Sequence, residues 1–263
     1  MGYDIGLYLA SIPLDAAVPL FVAVGLLVSV FGSWVVNSIF TPFELEANNG
    51  VGGAKFGFLG EVYAVTLGLA LIGAFDHYTT SQTNAQKEAA TLASLKGAAQ
   101  VYNLPEQAAD QRAMRTAVTA YARAVVDREW GIMSYGISDT EVSIRLTEIR
   151  AAFLGVDPLT AGQQALQQNT VEWVRQLSEY RTLRLTTVSR SLVALVWIVV
   201  VVGTLTAIIF PWFFGTFNIL AQGAMSALLV SFLMLHLLVI LQLSYPFVGD
   251  SSISSAAFLD VMR

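Results

Sequence analysis

The chain has 263 residues, 55% of them hydrophobic and only 13% charged, with a net charge of −5. That composition excludes an ordinary soluble globule, and an acidic balance with no basic, aromatic-interleaved stretch excludes nucleic acid as a partner. The absence of cysteine excludes disulfides, thiolate metal sites and cysteine nucleophiles.

In chain order, Leu7, Tyr8 and Ile12, with Tyr3, permit an interfacial helix ahead of the first apolar span. That span covers about 18–40; its flank holds Asp4 and Asp15 but no Lys or Arg, so it reads as a retained helix rather than a signal peptide. A second span covers about 56–75. Beyond it Leu92, Leu95, Ala99 and Tyr102 keep helical spacing, so the helix is predicted to continue past the span. Asn103, Leu104 and Pro105 break it, and Pro105 suits the first turn of the next helix, which carries Met114, Val118, Tyr121 and Val125. Gly136 ends that helix. Ser138 with Glu141 reads as a capping box ahead of Val142, Leu146, Ile149 and Phe153. Asp157 and Pro158 start a last long helix, with Val174 and Leu177, that is expected to run into a third span at about 192–214. The fourth span covers about 219–243, and Pro211 ends the third. Each span is close to the roughly 20 apolar residues needed to cross a bilayer.

The predicted fold is therefore all-α: four transmembrane helices in two pairs flanking a cytoplasmic helical bundle. Residues 1–76 form an N-terminal membrane hairpin, 77–190 a cytoplasmic domain, 191–245 a C-terminal hairpin and 246–263 a cytoplasmic tail. The middle region holds 12 of the 14 Lys and Arg, whereas the 41–55 connector has only Lys55 and the 215–218 connector has no charge. The positive-inside rule then puts 77–190 and both termini in the cytoplasm, with the spans in the inner (plasma) membrane of the cell.

Enzyme signatures are absent, and no catalytic residue, metal site or cofactor is predicted. Val51, Gly52, Gly53 and Ala54 lack the Lys-Ser/Thr of a phosphate loop, and His77 and His236 belong to no metal-binding spacing. Glu61 is the one carboxylate well inside a span. It either snorkels to the outer interface or faces an aqueous path, because exposure to hydrocarbon at the centre costs at least ~2.5 kcal/mol. Val65, Leu69 and Ile72 share its helix face, forming a narrow apolar row with a carboxylate at one end. The adjoining Gly60, Ala64 and Gly68 permit close helix contact within or between subunits. His236 and Gln222 are candidates for an intramembrane polar site, His236 as an ion-path or proton-sensitive group. The plainer reading of both, and of Ser226, is hydrogen bonding between helices. Arg181, Arg184 and Arg190 crowd the approach to the third span, where they either set topology alone or grip lipid phosphate or ions at a pore entrance. Trp130 reads as a packing residue.

Several stretches resemble the bacterial bestrophin-like family of unknown function. They are Asn48 to Gly50, Val62 to Val65, Glu88 to Leu92, Arg181 to Leu185, Trp197, and Pro246 to Asp250. The resemblance implies a homopentameric ion channel whose pore is lined by the second span and cytoplasmic helices. It also implies an apolar neck ahead of an aromatic-Asp-Arg-Trp segment, which Phe75, Asp76, His77 and Tyr78 loosely echo. Counting back from Asp76 puts Glu61, Val65 and Leu69 at the neck, the row that helix geometry selects independently. His77 and Tyr78 depart from the family's Arg and Trp, and a ring of Glu61 favours cations over chloride. The leading expectation is an oligomeric bestrophin-like ion channel in a lipid bilayer, conducting small ions with cations slightly favoured. The alternative is a non-conducting scaffold whose cytoplasmic helices bind a protein partner.

Overall fold

The computed structural model describes residues 5–188, 193–216 and 218–263, all of whose regular elements are helices. In order these are α1 (Ile5–Ala10), α2 (Leu14–Ile39), α3 (Pro42–Ala47), α4 (Asn49–Ala99), α5 (Ala108–Ala124), α6 (Trp130–Ile132), α7 (Thr140–Leu154), α8 (Ala161–Val188), α9 (Ala194–Ile209), α10 (Ile219–Ser244) and α11 (Ala256–Met262). The chain divides into two compact units, one of residues 1–76 and 192–251, the other of 77–191 and 252–263. Among the described residues, four helices are long and apolar enough to cross a membrane: α2, α4, α10, and α9 with the 3-10 turn Phe210–Phe213. Tyr3 and Arg190 lie outside the described residues.

In the first unit, α2 packs along α10 where Gly25 faces Val230 and Met234, and one end of α2 seats Trp212 of the 3-10 turn on Gly32. The start of α2 is held by the far end of the chain: the backbone N–H of Leu14 donates to Asp250 Oδ2 at 2.8 Å. Gly249, at φ 76°, makes the turn that delivers this carboxylate, and a side chain there would meet the Ala10 carbonyl. Asn49 bonds reciprocally to Gly215, donating to its carbonyl at 2.7 Å and accepting from its N–H at 3.0 Å. Phe56, Phe210 and Phe214 cluster beside that junction, with ring centroids 5.5 to 5.8 Å apart. Pro211 sits inside the 3-10 turn, after α9 has ended at Ile209.

The second unit has a conventional core. Leu92, Leu95 and Tyr102, then Met114, Val118 and Tyr121, meet Val142, Ile149 and Phe153, with Val174, Leu177 and Phe258 completing it. Helix α5 passes through a π turn, Val125–Glu129, before α6. Gly136 adopts the left-handed conformation (φ 72°) and ends this run. The cap of α7 differs from expectation. Asp139, not Ser138, accepts from the Glu141 N–H, at 2.7 Å, because the Asp carboxylate reaches the first turn directly. Helix α8 likewise begins at Ala161, with the Thr160 hydroxyl accepting from the Gln163 N–H, three residues later than Asp157 and Pro158 suggest.

Candidate functional site

The first unit's part of α4 has two unlike faces. On one, Tyr63, Leu67, Ala70 and Ala74 are buried in a cluster with Val200, Ala207, Ile208 and Val230. Tyr63 is the anchor: its hydroxyl donates to the Val200 carbonyl at 3.0 Å and shares a hydrogen bond with Thr204. Gly203 supplies the room, since a Cβ there would collide with the Tyr63 ring. A tyrosine held by both its ring and its hydroxyl fixes the rotation of α4 about its axis, and hence which residues occupy the other face.

That other face carries the sequence-predicted row. Val65, Leu69 and Ile72 are 65 to 66% exposed, and Glu61 is exposed with them. Glu61 makes no ion pair or side-chain hydrogen bond among the described residues. Gly53, Gly57, Gly60 and Gly68 run alongside, and a methyl group at any of them would meet nothing within 4 Å. The row is thus an apolar stripe with one uncompensated carboxylate, flanked by a groove of small residues.

Arg181 and Arg184, expected to set topology or to grip phosphate or ions, are buried rather than presented at the surface of the protomer. Both belong to a network inside the second unit. Arg184 is fully buried and bonds Glu88 through Nε (2.7 Å) and Glu129 through Nη2 (2.7 Å). Its guanidinium also lies 5.4 Å from the Trp130 ring centre and 5.9 Å from that of Phe258. Arg181 grips the second oxygen of Glu129 at 2.5 Å and donates to the Asp139 carbonyl at 3.2 Å. Tyr121 donates to Glu88 at 2.7 Å. Burial would raise the Glu129 carboxyl, but hydrogen bonding from Arg181 and the Arg184 charge hold it below its ordinary value. Burial would lower Arg184, yet the Glu88 charge and hydrogen bond raise it, so it stays a cation. Burial, reinforced by Glu88, keeps the Tyr121 phenol protonated. Two arginines facing two carboxylates are internally neutral, a structural clamp rather than a site offering free charge.

His236 also departs from the interhelical reading. Its Nδ1 lies 2.9 Å from the Phe232 carbonyl of its own helix, and its ring packs on Phe232 with centroids 4.2 Å apart. Gln222 donates to the Phe214 carbonyl at 2.6 Å, tying α10 to the connector before it rather than to another span. Trp130 packs as expected, against Phe258 at 5.6 Å.

The roles of Tyr63 and Glu129 were missed from sequence. A tyrosine inside an apolar span, facing a Gly and a Thr of another span, was the available signal for the first. Nothing local marks Glu129, whose arginine partners are 52 and 55 residues away in sequence.

A family model described as the Bestrophin-like domain matches residues 23–258. Among solved structures, a bacterial bestrophin homologue from Klebsiella pneumoniae carrying a point substitution superposes with a TM-score of 0.68. It is 11% identical, and the match covers 92% of this chain and 96% of that one. A crystal structure described as a membrane protein with a point substitution gives the same TM-score at 12% identity, with the same coverage. At this identity the likeness is one of fold. No curated protein matches the chain.

Proposed function

The chain belongs to the Bestrophin-like family, and from the likeness of that family to bestrophin channels we propose that it is an oligomeric ion channel with α4 lining the pore. The observation that carries this reading is the open face of α4. A carboxylate turned to hydrocarbon is costly, and this face bears Glu61, which no described residue neutralises. Brought around a common axis, copies of the row would supply a carboxylate ring at Glu61 and an apolar constriction at Val65, Leu69 and Ile72, able to gate by dewetting. The open glycines beside the row allow neighbouring copies of α4 to approach closely. Family resemblance suggests five copies. A ring of Glu61 favours cations slightly over anions.

In the arrangement we propose, two pairs of spans flank a cytoplasmic helical bundle. Residues 77–190 and both termini face the cytoplasm of a bacterial inner membrane, supported by the concentration of Lys and Arg in that region.

The test is current through the purified protein in a planar bilayer under a salt gradient. Discrete conductance with a cation-directed reversal potential, abolished or inverted by Glu61→Gln, supports the neck. An unchanged reversal potential removes Glu61 from selectivity. Silence from a folded oligomer favours a scaffold role.

A further inference from the structure

The first unit contains a polar cleft that the pore reading does not use. Between α2 and α10 lies a cavity of about 500 Å³. Ser29, Ser33 and Asn37 line it from successive turns of α2, and Gln222 and Ser226 line it from α10. A second cavity, of about 690 Å³, shares Gln222 and Ser226 with it.

Hydroxyls in an apolar helix ordinarily bond back to a carbonyl of the preceding turn, and several here do. Ser38 donates to Val35, Thr206 to Val202 and Ser244 to Ile240, all at 2.7 to 2.8 Å. Ser29, Ser33, Asn37 and Ser226 make no side-chain hydrogen bond among the described residues. Ser29 is nevertheless only 3% exposed. Its hydroxyl is not sealed inside the protein but opens on the cavity. Ser33 and Ser226 are half-buried and Asn37 is exposed, and all four side chains border the one cavity.

We infer that this cleft binds an uncharged amphiphile whose hydroxyl or ester oxygens bond to Ser29, Ser33, Asn37 and Ser226. No Lys, Arg, Asp or Glu lines the α2–α10 cavity, so a charged head would enter without a counter-ion. Among the described residues, the only ionisable side chain lining the neighbouring cavity is Glu46, which would repel an anionic phosphate head. Leu26, Val30 and Trp34 form the apolar wall against which a hydrocarbon tail would lie. Serine and asparagine offer both donors and acceptors, matching the mixed donor and acceptor oxygens of a glycerol ester. A monoacylglycerol has this chemistry. The inference does not depend on whether the protein conducts.

The experiment is equilibrium binding of a radiolabelled monoacylglycerol to the full-length protein in detergent, with thermal unfolding as the folding control. Saturable binding is expected, at least tenfold weaker in Ser29→Ala/Ser33→Ala and abolished by Ala227→Phe, which fills the cavity. The double alanine variant removes two hydroxyls without adding bulk, so it remains informative if Ala227→Phe fails to fold. Glycerol alone is expected not to compete. Absence of saturable binding, meaning a cleft occupied by water, overturns the proposal, as does binding that the double variant leaves unchanged. Competition by glycerol makes this a polyol site instead, and tighter, Glu46-dependent binding of an alkylamine makes it a cation site; either result overturns the amphiphile assignment.

Discussion

The two units solve opposite packing problems. In the first, large apolar side chains such as Phe31, Trp34, Leu69 and Leu228 point outward, while small residues such as Gly25, Ser29 and Ala74 occupy the interior. No more than 28% of the apolar stretch of any span is buried inside the protein. In the second, large apolar residues form the core, and the charged cluster found in its interior among the described residues is fully paired. A bilayer solvates apolar side chains and leaves close backbone approach to hold helices together. Water drives apolar groups inward and penalises every buried charge that lacks a partner. The same 20 residue types therefore take inverted positions in one chain.

That comparison can be broken most severely at Arg184. Replacing it by Ala leaves Glu88 buried without a cation, while Glu129 keeps only Arg181, and is expected to destabilise the second unit by about 3–5 kcal/mol. A large drop in melting temperature in detergent checks it, and an unchanged melting curve would mean the ion cluster does not hold that unit together.

Next in size is Gly203→Val. Its side chain would overlap the Tyr63 ring, so α4 must rotate or separate from α9. Overpacking of this kind costs about 1–3 kcal/mol. If α4 lines a pore, its rotation also alters conductance, whereas a thermal shift alone with normal currents would uncouple the anchor from the neck.

Acid probes the second unit more gently. The Glu129 carboxyl is lower in the folded protein than its ordinary 4.5. A group depressed by folding stabilises the native state above its unfolded value and loses that contribution as pH falls through the folded one. Stability is therefore expected to hold down to about pH 4.5 and decline below it. Glu129→Gln should flatten that acid limb at the expense of overall stability; an acid limb that persists in the variant assigns it to other carboxylates.

Tyr63→Phe removes only a hydrogen bond to the Val200 carbonyl and Thr204, an expected loss of about 1 kcal/mol. The smallest structural effect belongs to Glu61→Gln. Exposed and without a partner, Glu61 should leave melting unchanged while shifting the reversal potential, separating a functional role from a structural one.

Much of the fold was legible because it is local. Apolar length marked the four spans, and 3.6-residue spacing marked the helices of the second unit. Asn49, Glu88, Arg184 and Asp250, all within the stretches that carry the family resemblance, turn out to make long-range structural bonds, and Gly249 in the last of these stretches lies against the Ala10 carbonyl. The row from Glu61 to Ile72 could be read as one face because helical periodicity depends on sequence alone. Its exposure could not, because exposure depends on what Tyr63 does on the opposite face.

The sequence by itself determined that four segments are long and apolar enough for a bilayer, that the chain is helical throughout its regular elements, and that Glu61 shares a face with Val65, Leu69 and Ile72. Only the tertiary structure decided what the arginines do. Arg184 meets Glu88 across 96 residues and Arg181 meets Glu129 across 52, distances over which no local pattern chooses a partner. Charge count predicts where a cation is placed relative to a membrane, but packing decides whether that cation remains available or is neutralised in a core.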